Sequence, residues 1–110
     1  MLKVITTVAL ALLLLLTPLD AVAGVDLDNG AEVFKANCAG CHINGGNIVR
    51  RGKNLKLKTL HKRKLDTEEA IAALVTNGKG IMSAYGEKLT SEEIANVSAY
   101  VLQKAEQNWK

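Results

Sequence analysis

Cys38-Ala39-Gly40-Cys41-His42 is the stretch on which the reading of this chain turns. Two thiols stand three positions apart, and a histidine follows the second directly. They are the only two cysteines among 110 residues, and His42 is one of two histidines. A disulfide closing so small a loop would constrain the unfolded chain very little, because the effect of a crosslink grows with the loop it closes. A redox dithiol of the thioredoxin kind needs a strand-helix context, and no strand-like alternation of apolar and polar residues occurs. A structural zinc site needs four ligands. Beyond Cys38, Cys41 and His42 only His61 remains, among Lys58, Lys62, Arg63 and Lys64.

The spacing fits another chemistry better. Cys-x-x-Cys-His is the attachment signature of a c-type haem. Two thiols must reach two vinyl groups on adjacent edges of one macrocycle, and the next residue must bring an imidazole under the iron. A turn at the end of a helix meets all three needs. Haem is the favoured reading, with zinc and dithiol as its rivals.

Outward from the motif the pattern is helical. Upstream, Asp26 or Asp28 can cap a helix running through Ala31, Val33, Phe34 and Ala36 to about Asn37, with Asp28 and Glu32 near its positive end. Downstream, Asn44-Gly45-Gly46-Asn47 reads as a turn, and Leu55, Leu57 and Leu60 allow one short helix. Asp66-Thr67-Glu68-Glu69 reads as a capping box with Asp66 at the N-cap. It opens a helix carrying Ile71, Leu74 and Val75 that stops at Asn77-Gly78. Lys79 to Leu89 reads as loop. Thr90-Ser91-Glu92-Glu93 is a second capping box, opening a helix with Ile94, Val97, Val101 and Leu102 at helical spacing. Three to four short helices joined by long loops are expected, an all-α domain whose loops need something large and apolar to pack on.

Length allows one domain. The first residues are a leader rather than fold. Lys3 gives a positive start, Val8 to Leu16 is apolar, Pro18 ends the run, and Ala21-Val22-Ala23 is a small-x-small cleavage pattern. The apolar run falls short of the roughly 20 residues that span a bilayer comfortably, so a cleaved signal peptide over residues 1–23 is preferred to a retained anchor. The domain is then 24–110, an exported protein.

A haem iron that only transfers electrons needs a sixth ligand, and pairing His with Met raises the potential relative to two histidines. Within 24–110 Met82 is the only methionine, in a glycine-flanked loop between two helices. It is preferred to His61, which its cationic neighbours mark as a surface residue, and to the reading of Met82 as core filler.

From Arg50 to Lys64 there are eight Lys or Arg and no acid, in a chain of net charge +3, so the remainder is net negative. Such a segment is either a solvated face or a docking field that steers encounter with an acidic partner and weakens with salt. Nucleic acid is not an expected partner of an exported haem protein.

Taken together these residues resemble the cytochrome c6 family, class I c-type cytochromes. The resemblance runs through Gly30 and Phe34, the Cys38–His42 motif, Gly45-Gly46-Asn47, Val75-Thr76-Asn77-Gly78-Lys79 ahead of Met82, and Ala99-Tyr100-Val101-Leu102 with Ala105, Glu106 and Trp109 closing the last helix. It implies a class I cytochrome c fold around one haem c, with first and last helices crossing where Gly30 permits close approach near Tyr100. It implies a monomeric electron carrier of the thylakoid lumen or periplasm, working between a cytochrome bf complex and photosystem I or a terminal oxidase. Two departures stand out. Ser83 follows Met82 where the family usually has proline, and Leu74 stands where it usually has glutamine. An aliphatic residue at that position is a mark of low-potential relatives, which points to a paralogue of that kind. A diffusible carrier needs no nucleophile-base pair, and none is found. The rival function is a haem sensor or peroxidase-like protein with an open iron site, which a coordinated Met82 would close.

Overall fold

The computed structural model describes residues 24–110; the expected signal peptide, 1–23, lies outside the described residues. Four helices follow one another: α1 (Leu27–Asn37), α2 (Leu57–Lys62), α3 (Glu68–Asn77) and α4 (Ser91–Glu106). Among the described residues the only sheet-like pairing is an isolated antiparallel bridge between Lys79 and Met82. None of these helices is long and apolar enough to cross a membrane.

Local chemistry fixes the helix ends. Asp26 caps α1, its carboxylate accepting from the Asn29 N–H at 3.0 Å, so the nearer of the two candidate aspartates to the chain start is the one used. Thr90 and Glu93 close both bonds of the expected capping box at the start of α4. The expected box at α3 is corrected. Thr67, not Asp66, is the N-cap, and its hydroxyl accepts from the Ala70 N–H at 3.1 Å. Asp66 is engaged elsewhere, 2.8 Å from Nδ1 of His61 across the α2–α3 turn. Gly78 ends α3 at φ 69°, a left-handed conformation that suits glycine.

α1 packs most extensively on α4, and α3 on the same helix. The core comprises Val33 and Phe34 of α1, Leu60 of α2, Ile71 and Val75 of α3, and Ile94, Val97, Val101 and Ala105 of α4. The crossing of α1 and α4 is at Gly30, where a Cβ would overlap the Asn96 carbonyl and come within 2.8 Å of Tyr100 Cβ. Asn96 also ties the two helices laterally, accepting from the Asp26 N–H at 3.0 Å and donating to Asn29 at 2.9 Å. Tilted beside this crossing, Phe34 lies 5.4 Å from Tyr100 and 5.3 Å from Trp109, ring centre to ring centre. Trp109 lies beyond the end of α4 rather than within it, which corrects its expected place in the last helix.

Candidate functional site

The Cys38–His42 motif begins where α1 ends. Cys38 is the C-cap residue, its N–H donating to the Phe34 carbonyl at 2.8 Å. The Cys41 and His42 amides both return to the Cys38 carbonyl, at 3.2 and 2.9 Å. The five residues therefore form one tight turn hung on the end of a packed helix. Cys38 is half-buried against the core and Cys41 is exposed. Burial pushes the Cys38 thiol up to about 11. A redox dithiol needs the opposite, a thiol whose pKa is lowered so that thiolate is present near neutrality.

His42 is half-buried, and its Nδ1 lies 2.8 Å from the Gly46 carbonyl. A carbonyl can only accept, so Nδ1 carries the proton and, in the neutral ring, Nε2 holds the lone pair. That is the tautomer and orientation an axial ligand needs. Gly46 is placed by the turn Ile43–Gly45, in which Asn44 (φ 51°) and Gly45 (φ 77°) are both left-handed.

Met82 sits in the loop between α3 and α4, half-buried against the core. Its N–H and carbonyl pair with Lys79 at 3.0 and 3.1 Å, closing a small ring of backbone over Gly78 and Gly80. Gly78 is required there, since a Cβ would come within 2.7 Å of the Met82 carbonyl oxygen and the Ala84 nitrogen. Past Met82, Tyr85 and Gly86 donate their amides to Val75 and Thr76 at 2.9 and 3.1 Å, so the loop is sewn to α3. The Tyr85 hydroxyl donates to the Asn37 carbonyl at 2.9 Å, joining the methionine loop to the residue before Cys38. Burial and the neighbouring Cys38 and Cys41 raise the Tyr85 phenol above its usual range. Ser83 is exposed and Leu74 half-buried on α3.

His61 is not part of this arrangement. Its side chain is 81% exposed and bonded to Asp66. Among the described residues no three His, Cys, Asp or Glu side chains gather in a way that could cage a metal ion. The residues fit a haem instead. Ile43 and Ile81, which adjoin His42 and Met82 in the chain, and Ile48 and Val49, which follow the His42 turn, are large apolar side chains left exposed, the kind of surface a large apolar group covers. Ile43 and Ile48 line a cleft of about 350 Å³ with Gly46, Asn47, Arg51, Asn54 and Lys56.

Comparison with known proteins decides the family. The family profile described as "Cytochrome C oxidase, cbb3-type, subunit III" matches residues 25–101. A cytochrome c6-like protein of Nostoc sp. is 58% identical over 82 residues, covering 74% of this chain and 74% of its own. This chain belongs to the cytochrome c6 family. The crystal structure of cytochrome c6C from Synechococcus sp. PCC 7002 is 64% identical, with a TM-score of 0.71 over 73% of this chain and 98% of that one. Cytochrome c6 of the diatom Phaeodactylum tricornutum is 44% identical, with a TM-score of 0.75 over 76% of this chain and 99% of that one. The expected class I cytochrome c6 fold is thereby established. The cytochrome c6 family comprises electron carriers rather than enzymes, and membership implies covalently bound haem c.

The sequence motifs mark Cys38, Cys41, His42 and Met82, but not the exposed Ile43, Ile48, Val49 and Ile81, nor three pairings: Gly46 as acceptor for His42, Tyr85 as the tie to Asn37 and, outside the site, His61 with Asp66. No local motif distinguishes these three.

Proposed function

We propose that residues 24–110 form a soluble one-electron carrier of the thylakoid lumen or periplasm, released from a signal peptide at 1–23. Cys38 and Cys41 would hold one haem c through thioether bonds, and His42 and Met82 would be its axial ligands. When bound, the haem supplies a single reversible iron couple. The chain's part is to keep that couple fixed and dry.

The observation that carries the reading is the His42–Gly46 hydrogen bond, which fixes Nδ1 of the imidazole on a backbone carbonyl at the end of a Cys-x-x-Cys turn and leaves Nε2 as the nitrogen available to a metal. Cys38 is anchored by α1, and Met82 by its bridge to Lys79 and the amides that follow. Ligands held in this way change little in position between oxidation states, so little reorganisation opposes transfer.

All eight cations of Arg50–Lys64 are exposed, and none lies within ion-pair distance of a carboxylate among the described residues. Gly52, Lys58, Thr59, Lys62 and Arg63 line a shallow cleft of about 300 Å³ on that face. This basic segment supports transient docking to acidic surfaces of membrane redox complexes, a cytochrome bf complex on one side and photosystem I or a terminal oxidase on the other. The association rate with such a partner should fall steeply as salt rises. A salt-independent rate contradicts the docking assignment.

Carbon monoxide added to the reduced haem protein tests the ligand set. No binding is expected in the unaltered chain, whereas Met82→Ala should bind carbon monoxide and lose the six-coordinate low-spin spectrum. Binding by the unaltered chain would favour an open-site sensor or peroxidase-like protein.

A further inference from the structure

Two and three residues past the end of α4, the chain takes up a conformation it would not choose. Asn108 and Trp109 have φ of 55° and 59°. The left-handed region costs an L-residue roughly 1–2 kcal/mol, so two in succession persist only where their surroundings hold them. Here the Trp109 N–H donates to the Lys104 carbonyl at 2.7 Å and Lys104 Nζ donates to the Lys110 carbonyl at 2.6 Å. The result is a hook that turns the indole back into the fold, against Phe34 and edge-on to Tyr100.

The indole also lies directly on the turn that serves His42. A Cβ added at Gly45 would overlap Nε1, Cδ1 and Cε2 of Trp109, so the bare backbone of Gly45 is the surface on which the ring rests. Two hydrogen bonds and one residue of backbone lead on from it to the acceptor of His42. Trp109 Nε1 donates to the Leu55 carbonyl at 2.9 Å. The Leu55 N–H donates to the Gly45 carbonyl at 2.7 Å. The next carbonyl, that of Gly46, accepts from His42 Nδ1 at 2.8 Å. The last side chain but one thus clamps, by its ring and through Leu55, the peptide unit immediately before the one whose carbonyl orients the histidine.

We propose that Trp109 is a positioning residue for His42, fixing the Gly46 carbonyl and through it the ring orientation and donor strength of Nε2. This rests on the haem-site reading above. A ligating histidine whose other nitrogen donates to a firm acceptor is a stronger base, and the outer partner fixes its rotation. Loosening the acceptor weakens that donation, which stabilises the ferric iron more than the ferrous. The midpoint potential should therefore rise when the clamp is released.

Trp109→Phe tests this in the haem-loaded protein, because it keeps a ring over Gly45 and removes the N–H. Hydrogen exchange of the His42 Nδ1–H in the reduced protein should accelerate roughly tenfold, the equivalent of one net hydrogen bond. The midpoint potential should move upward. Trp109→Ala should exaggerate both. Val101→Ala, a core truncation that removes no hydrogen-bonding group of this path, serves as the control for general loosening and should leave both unchanged. Unaltered exchange and potential in Trp109→Phe would overturn the inference, and so would equal shifts in Val101→Ala. Failure of the unaltered chain to carry covalent haem would remove the site reading itself, and this inference with it.

Discussion

The Tyr85 hydroxyl donates to the carbonyl of Asn37 at 2.9 Å, joining residues 48 positions apart. Through this bond the loop that presents Met82 is fastened to the helix end that presents Cys38. The two halves of the site are thus coupled through the protein itself, independently of any group held between them.

Tyr85→Phe removes that bond and leaves the ring. Stability should fall by about 1 kcal/mol, the net value of one such hydrogen bond, measured by urea denaturation. Hydrogen exchange in Lys79–Met82 should quicken while that of α2 does not. Unchanged exchange in the loop would mean that the tie to α3 alone holds Met82.

Gly30→Ala places a methyl group against the Asn96 carbonyl and Tyr100 Cβ. Both belong to α4, and the carbonyl is backbone, so relief requires the helices to separate. The expected loss is about 1–3 kcal/mol, seen as a lower denaturation midpoint. A variant as stable as the parent would contradict the close crossing described here.

His61 holds the Asp66 carboxyl below its ordinary range, chiefly by their hydrogen bond. A carboxyl with a depressed folded pKa contributes stability above its ordinary value of 3.8, and the contribution is lost as pH falls through the lowered value. His61→Ala should bring the Asp66 titration, followed by carboxyl NMR shifts, up toward 3.8. Stability at neutral pH should change little, since the pair lies at the surface. An unmoved Asp66 titration would assign the shift to the backbone instead.

Leu74→Gln introduces on α3 the side chain that the family usually carries there. The family resemblance leads to an expected upward shift of the midpoint potential, measured by redox titration. No upward shift would count against a low-potential assignment for this chain.

Much of this architecture was legible in the sequence because it rests on local chemistry. The Thr90–Glu93 box, the Gly78 stop, the end-of-helix turn at Cys38 and a cap at Asp26 or Asp28, which the fold resolves to Asp26, each lie within a few consecutive residues, where side-chain and backbone needs can be matched by inspection. Asp66 shows the limit of that approach. Its sequence context fits an N-cap, but His61, five positions back across the turn, engages the carboxylate, and Thr67 caps one residue later. Trp109 shows another limit. Gly45 and Trp109 are both conspicuous in the sequence, yet only the folded chain brings them together, because 64 positions separate them and a reversed chain end makes the contact.

We propose above that Cys38 and Cys41 carry one haem c through thioether bonds. Mass spectrometry of the exported, purified protein under denaturing and reducing conditions tests it most directly. The expected result is a chain beginning at Gly24 whose mass is increased by one haem that does not dissociate, with the added mass on the peptide containing Cys38 to His42. A bare chain with two free thiols under the same conditions would contradict it.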